Sequence, residues 1–335
     1  MTTANRQILL NAHPKGDLKQ SDFRMVDAEI PAIANGEVLI QTLYLALEPA
    51  MKGWMENRAD YVSPLEIGDV MRGYGTGRVI ESRNDRLPTG TIVGGSLGWQ
   101  EYVVTDGKSL PVNVLPNDID TPAAMGVLGV TGLTAYFGLL EIGKPKAGDT
   151  VLVSGAAGAT GSIAGQLAMI EGCRVVGIAG SDEKCQWLTQ DLGFDDAINY
   201  KSEDVAARVR ETCPQGVNIY YDNVGGEILD IALNNLADNA RVVICGGISR
   251  YNLTGAIPGP KNYFNLVYRR SRMEGFIVSD FAKRFPEATA VLQEHLHSGR
   301  LKHRETILEG FERMPNALMS LFSGDNIGKL LVHVS

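Results

Sequence analysis

From about residue 8 to residue 114, apolar positions come in short runs at near period-two spacing: GEVLIQTLYLAL, GYGTGRVIES, GTIVGG and WQEYVVTD. Val, Ile and Tyr recur in these runs, between Gly, Asn-Asp and Pro-Thr-Gly breaks. Such residues suit a pleated, half-buried surface, so the pattern predicts a small antiparallel or barrel-like domain with few helices. After Pro122 the texture changes to AAMGVLGVTGLTAYFGLLE, a helical stretch rich in small residues. Strands then alternate with amphipathic helices: VLVSG (151–155), RVVGIAG (174–180), a short strand near Ala197–Asn199, VNIYYDNVGG (217–226), ARVVICGG (240–247) and RMEGFIVS (272–279). That alternation predicts a parallel, doubly wound sheet with crossover helices. From Leu301 onward the chain is predicted to return to short β-like pieces ending in IGKLLVHV and to rejoin the first domain. The fold class is therefore α/β, a doubly wound parallel sheet beside a β-rich domain. The expected boundaries are residues 1–122 with 300–335 for the β-rich domain and 123–299 for the doubly wound one.

Size and charge narrow the function classes. A chain of 335 residues exceeds the usual reach of a single hydrophobic core, consistent with two domains. Its formal net charge of -8 argues against nucleic acid as a partner, because phosphate binding needs clustered Lys and Arg. No run approaches the ~18 apolar residues of a membrane span, and the apolar patch near the N-terminus is too short for a signal-peptide core. Given the negative charge, small molecules are the expected partners. Cys173, Cys185, Cys213 and Cys245 are scattered without a Cys-x-x-Cys pair, which points to a reduced, cytoplasmic protein.

The segment VLVSGAAGATGSIAGQLA sets Gly155, Gly158 and Gly161 directly after an apolar strand and at the head of a helix. Glycines alone are a weak signal, but here they sit inside a strand–helix–strand unit of about 30 residues, the context of a dinucleotide fingerprint. They let the backbone turn tightly and let a pyrophosphate approach, while the amides around Ala159 and Thr160 and the positive end of the helix stabilise its charge. A tight strand-to-helix turn packed by small residues is the alternative. The tip of the second strand reads Gly180-Ser181, where an NAD site would place an acid for the ribose 2′-hydroxyl. Lys184 and Lys201 follow, within reach of a 2′-phosphate, so NADPH is the expected cofactor; a solvated surface lysine is the alternative for Lys184.

The runs GVLGVTGLTAYFGLLEIGKPKAGDTVLVSGAAGATGS, GCRVVGIAGSDEKCQWL, LGFDDAINYKSED, YYDNVGGEILD, ICGGISRYN and GFERMPNALMSLFSGDNIGK resemble the prostaglandin reductase (leukotriene B4 12-hydroxydehydrogenase) group of zinc-independent medium-chain dehydrogenases/reductases. The likeness is strongest to its bacterial curcumin-reductase-like branch and covers nearly the whole chain. It implies a GroES-like substrate domain, a Rossmann NADP-binding domain, a cleft active site between them and a homodimer. It further implies that Lys184 and Tyr200 hold the adenosine phosphate and that Asn223 lines the nicotinamide side. Cys245, Gly246, Gly247, Tyr251, Phe276, Ile277, Val278 and Asn326 would close over the cofactor. The implied reaction is reduction of the carbon–carbon double bond of α,β-unsaturated ketones or aldehydes. Tyr251 and Tyr61 are the candidate catalytic phenols, able to donate to an oxyanion on the substrate carbonyl; packing or anchoring roles are the alternative for each.

Two stretches depart from the group's pattern. Glu48-Pro49-Ala50-Met51-Lys52 stands where many relatives read Asp-Pro-Tyr-Met-Arg, and Val130-Thr131 stands where they read Met-Pro. No metal is expected: before Cys173 there is no cysteine and only His13, too few N and S donors for catalytic zinc. An NADPH quinone reductase is the second enzymatic reading, and a non-catalytic, crystallin-like NADPH-binding protein is the reading of another class.

Overall fold

The computed structural model describes residues 4–57, 62–115 and 120–334. Contacts divide the chain into two compact units, Met1–Met125 with Glu305–Ser335, and Gly126–Arg304.

The first unit begins with β1 (Asn5–Leu10) and β2 (Phe23–Ala28), paired antiparallel. There follow β3 (Val38–Ala46), the short helix α1 (Ala50–Met55), β4 (Gly75–Ser82), β5 (Ile92–Gly95), β6 (Tyr102–Thr105), β7 (Val112–Val114) and helix α2 (Thr121–Met125). Met51 and Met55, one turn apart on α1, are fully buried in the unit's core with Leu10, Leu45 and Trp99. Lys52 lies between them with its ammonium buried and paired to Glu56 at 3.1 Å. A lysine out of water needs such a partner, since an uncompensated buried charge costs several kcal/mol.

The second unit opens on helix α3 (Val130–Phe137), which the sequence pattern joined to α2 in one helical stretch. Gly126–Gly129 separates the two, and the chain folds back so tightly that a Cβ on Gly132 would lie 1.8 Å from the Val127 carbonyl oxygen. Strands β8 (Thr150–Ser154), β9 (Arg174–Ala179), β10 (Asp196–Asn199), β11 (Val217–Asp222), β12 (Leu236–Ile244) and β13 (Arg272–Gly275) follow. Between them run α4 (Ala159–Ile170), α5 (Asp182–Gln186), α6 (Val205–Thr212), α7 (Gly226–Asn234) and α8 (Asn265–Tyr268), and α9 (Phe285–His297) comes after. The sheet is parallel throughout in the order β10-β9-β8-β11-β12-β13. This is a doubly wound sheet whose winding reverses between β8 and β11, the switch point at which such sheets bind ligands. β8 is wholly buried, as a strand covered on both faces must be. β13 is wholly exposed and stops at Gly275; the residues that were expected to extend it turn instead into a 3-10 segment, Val278–Arg284.

The tail returns to the first unit, adding β14 (Glu305–Glu309) and β15 (Lys329–His333) to the larger sheet, in the order β14-β15-β3-β4-β5-β7 with β6 on β3. It is not made of β-like pieces alone, because helix α10 (Met314–Ser323) lies between these two strands. Met314, Ala317, Leu318 and Leu321 repeat at helical spacing and are all buried, Pro315 sits in the first turn, and Gly324 ends the helix in the left-handed region at φ +74°. No helix among the described residues is long and apolar enough to cross a membrane.

Candidate cofactor site

The chain leaves β8 at Ser154 and enters α4 at Ala159 through a corner only glycine can make. Gly155 lies at φ +58°, where side chains are strained. A Cβ on Gly161 would stand 2.4 Å from the Gly155 carbonyl oxygen and 2.9 Å from Ala156 Cα, so the first helical turn packs directly on the loop. Gly158 caps α4 with no side chain bonded to the helix amides, and the first main-chain closure there is Ser162 N–H to Gly158 O. Because a helix start leaves its leading amides without intrahelical partners, the backbone at Ala159, Thr160 and Gly161 presents donors and the positive helix end to a bound anion.

At the neighbouring strand ends, Gly180 follows β9 and Tyr200 follows β10. A Cβ on Gly180 would come within 2.9 Å of the Tyr200 ring, so the aromatic lies against bare backbone there. Ser181 caps α5 by accepting from the Lys184 amide at 3.3 Å, which sets Lys184 in the first turn beside that tyrosine's strand end. The two acids of this turn are engaged elsewhere: Asp182 accepts from Asn199 Nδ2 at 2.7 Å, and Glu183 faces Arg304 at 3.7 Å. Lys201 lies 6.0 Å from the centre of the Tyr200 ring. The tip thus gathers cations and an aromatic face, while Asp182 is turned back toward β10.

Beyond β11 and β12 two loops are zipped into one piece. Cys245 and Gly246 donate their amides to Asp222 O at 2.9 and 3.0 Å, Ile248 N–H reaches Asn223 O at 3.3 Å, and the Ser249 hydroxyl donates to Val224 O at 2.6 Å. This brings Asn223, Cys245, Gly246, Gly247 and Tyr251 to one edge of the sheet, Tyr251 closing the 3-10 turn Ile248–Arg250. Phe276 leaves β13 alongside, and its ring packs against Gly138, where a Cβ would be 2.6 Å from both that ring and the Tyr221 hydroxyl. The Tyr221 hydroxyl donates to Thr134 O at 3.0 Å. Desolvation pushes the Cys245 thiol up to about 12, although its hydrogen bond with Tyr221 pulls the other way, so the thiol stays protonated at neutral pH. Ile277 and Val278 continue at the same edge.

A family described as the N-terminal domain of oxidoreductase matches residues 6–112, and one described as zinc-binding dehydrogenase matches residues 159–294. Prostaglandin reductase 1 of Rattus norvegicus is 42% identical over 96% of this chain and 97% of its own. The NADPH-dependent curcumin reductase of Escherichia coli is 37% identical over 99% and 97%. The crystal structure of CurA from Vibrio vulnificus in complex with NADPH superposes with a TM-score of 0.93 at 38% identity, covering 98% of this chain and 99% of that one. The chain belongs to the medium-chain dehydrogenase/reductase family.

In this medium-chain reductase, the described residues hold no group of three His, Cys, Asp or Glu side chains placed to share a metal ion, despite the name of the second matching family. All four cysteines are unpaired. Of the residues singled out from the sequence, those of the second unit collect at the carboxyl ends of its parallel strands. Asn326 lies in the other unit, where its side-chain amide donates to Gly328 O at 2.8 Å and shapes the turn into β15. Tyr61 lies outside the described residues. Sequence reasoning passed over Ser154, Tyr220 and Asp222, which are buried at the switch point and tie its two sides together. The available signal was an acid closing the otherwise apolar run Ile219–Tyr221 three residues before the paired glycines Gly225-Gly226.

Proposed function

We propose that this protein uses NADPH to reduce the carbon–carbon double bond of α,β-unsaturated ketones and aldehydes. The observation that carries the reading is the glycine corner at Gly155–Gly161, where α4 packs so closely on the loop that Gly161 has no room for a Cβ, set at the switch point of a sheet shared with an NADPH-bound relative. Ala159, Thr160 and Gly161 would hold the pyrophosphate through their amides. Lys184 and Tyr200 would hold the 2′-phosphate, since Asp182, the acid nearest the β9 tip, is committed to Asn199. Asn223, the Cys245–Tyr251 loop and Phe276–Val278 would line the nicotinamide side. When bound, NADPH supplies a hydride for the β-carbon of the substrate.

Curcumin, named in one relative, is a conjugated dicarbonyl compound whose alkene carbons are made electrophilic by the carbonyls. As the β-carbon gains its hydride, negative charge moves to the carbonyl oxygen, and a placed hydrogen-bond donor there lowers the barrier. Tyr251 is the donor in this reading, with Tyr61 a second phenol, and solvent or a tyrosine returns the α-proton.

The functional protein is a homodimer in the cytoplasm. Support comes from β13, whose exposed run Arg272-Met273-Glu274 ends the sheet. Antiparallel pairing with a second copy about Met273 would set Arg272 opposite Glu274 in both directions, and opposite charges across strands are favourable. Tyr263, Phe264, Val267 and Tyr268, just upstream, are each more than half exposed and give the same side an apolar character.

The test is to follow NADPH and NADH oxidation with a small enone, a 2-alkenal and a quinone, and to identify products by mass and NMR. Saturated ketone or aldehyde formed with NADPH is expected. Quinol alone would favour a quinone reductase, and tight NADPH binding without turnover would favour a non-catalytic protein.

A further inference from the structure

The end of β11 carries a carboxylate with an unusual load. Asp222 is 1% exposed, and its Oδ1 accepts from four donors: Ser154 Oγ at 2.9 Å, Tyr220 Oη at 2.8 Å, Val224 N at 3.0 Å and Gly225 N at 2.8 Å. The donors come from three places: the end of β8, β11 itself, and the turn after Asn223. Ser154 is the last residue of β8 before the glycine corner, and Val224 and Gly225 form the turn that follows Asn223. Ser154 also receives the Asn223 amide on Oγ at 2.9 Å and the Asn223 side-chain amide on its carbonyl oxygen at 2.7 Å. The Asp222 carbonyl oxygen meanwhile accepts from Cys245 and Gly246. One residue therefore joins the pyrophosphate corner, the Asn223 turn and the 245–251 loop, at the point where β8 and β11 lie side by side.

Burying a carboxylate costs several kcal/mol unless hydrogen bonds satisfy it. A plain strand end could be capped by a neutral side chain at lower cost. Charge-assisted bonds are about twice as strong as neutral ones, and they hold their donors in fixed directions. Tyr220 reports the same environment: burial pushes its phenol well above the ordinary range, so it remains a donor at any working pH.

We infer that Asp222 is a positioning residue for the cofactor, locking the glycine corner to the Asn223 and Cys245–Tyr251 loops so that a ligand spanning both meets a preformed site. The inference rests on the NADPH reading above. It predicts that losing the carboxylate weakens only ligands that cross the switch point. A ligand confined to the β9 and β10 tips, beside Lys184 and Tyr200, should not sense the loss.

Calorimetric titration of the full chain with NADPH and, separately, with adenosine 2′-monophosphate tests this. Wild-type protein should bind both. Asp222→Asn keeps the side-chain shape but replaces the charged acceptor. It is expected to raise the Kd for NADPH at least about tenfold, the loss of one charge-assisted hydrogen bond, and to leave that for adenosine 2′-monophosphate within about twofold. Tyr220→Phe removes a single donor and should show the same split at about threefold, which covers an Asp222→Asn protein that does not fold. Equal weakening of both ligands would reduce Asp222 to a general support of the fold and overturn the inference, as would unchanged NADPH binding in both variants. A wild-type protein that binds adenosine 2′-monophosphate but not NADPH would instead overturn the cofactor reading itself.

Discussion

Two strands of one sheet differ in almost every respect. β8, at the centre, is Thr150-Val151-Leu152-Val153-Ser154, buried at every position and ending in the glycine corner. β13, at the edge, is Arg272-Met273-Glu274-Gly275, exposed at every position and ending where Phe276 turns away to pack on Gly138. Apolar burial on two faces holds the first in place and leaves its end free to carry a binding loop. The second gains little from burial within the chain, and its open backbone donors and acceptors are satisfied by water or by another strand. The comparison separates a part of the sheet that the chain completes alone from one that a second copy would complete.

The hardest test of the central side is Gly161→Ala. Its Cβ would meet backbone atoms at 2.4 and 2.9 Å, which cannot rotate away. The corner must shift to relieve that clash, which displaces its amides from a bound pyrophosphate, and titration should show about 100-fold weaker NADPH binding. Unchanged affinity would remove the glycine corner from the site. Lys184→Ala should raise the KM for NADPH about 20-fold while leaving that for NADH nearly unchanged, as expected for one charge-assisted contact to a 2′-phosphate. Parallel rises with both cofactors would show that the lysine supports only the fold.

Tyr251→Phe is expected to lower kcat at least about tenfold with the KM for NADPH within twofold, the mark of a donor acting in the transition state. Equal loss of both would leave it a packing residue. At the edge, Met273→Lys would place like charges opposite each other at the centre of the paired strands, and sedimentation velocity should show dimer giving way to monomer. A dimer that persists would place the contact elsewhere. The smallest effect is expected from thiol alkylation at pH 8: burial pushes Cys173 and Cys185 up to about 11 and Cys245 up to about 12. A thiol reacts as the thiolate, whose share at that pH falls roughly tenfold for each unit by which the pKa exceeds it, so enone reduction should barely change over an hour and should become sensitive only as the pH rises toward those values.

Much of this could be read along the chain because the forces are local. Gly155 and Gly161 announce a backbone that no other residue can follow, and strands such as Thr150–Ser154 announce burial by their apolar centre Val151-Leu152-Val153. The helix Met314–Ser323 was equally available: Met314, Ala317, Leu318 and Leu321 have helical spacing, bracketed by Pro315 and Gly324. It was masked by the β-rich segments on either side. Asp222 could not be read in the same way. An acid after Tyr221 looks like the polar end of a strand until Ser154, 68 residues earlier, is seen to share its carboxylate oxygen. Nor does the sequence say that Asp182 turns to Asn199, which leaves the β9 tip to the cations.

The sequence by itself determined the alternation of strands and helices in the second unit, the glycine corner and the family, because each is set by neighbouring residues or by residue type. Only the tertiary structure decided that β8 lies beside β11, that a buried carboxylate joins their ends, and that β13 stands open at the edge. Those features depend on which distant segments pack together, and packing is settled by the burial of whole faces rather than by any short stretch of chain.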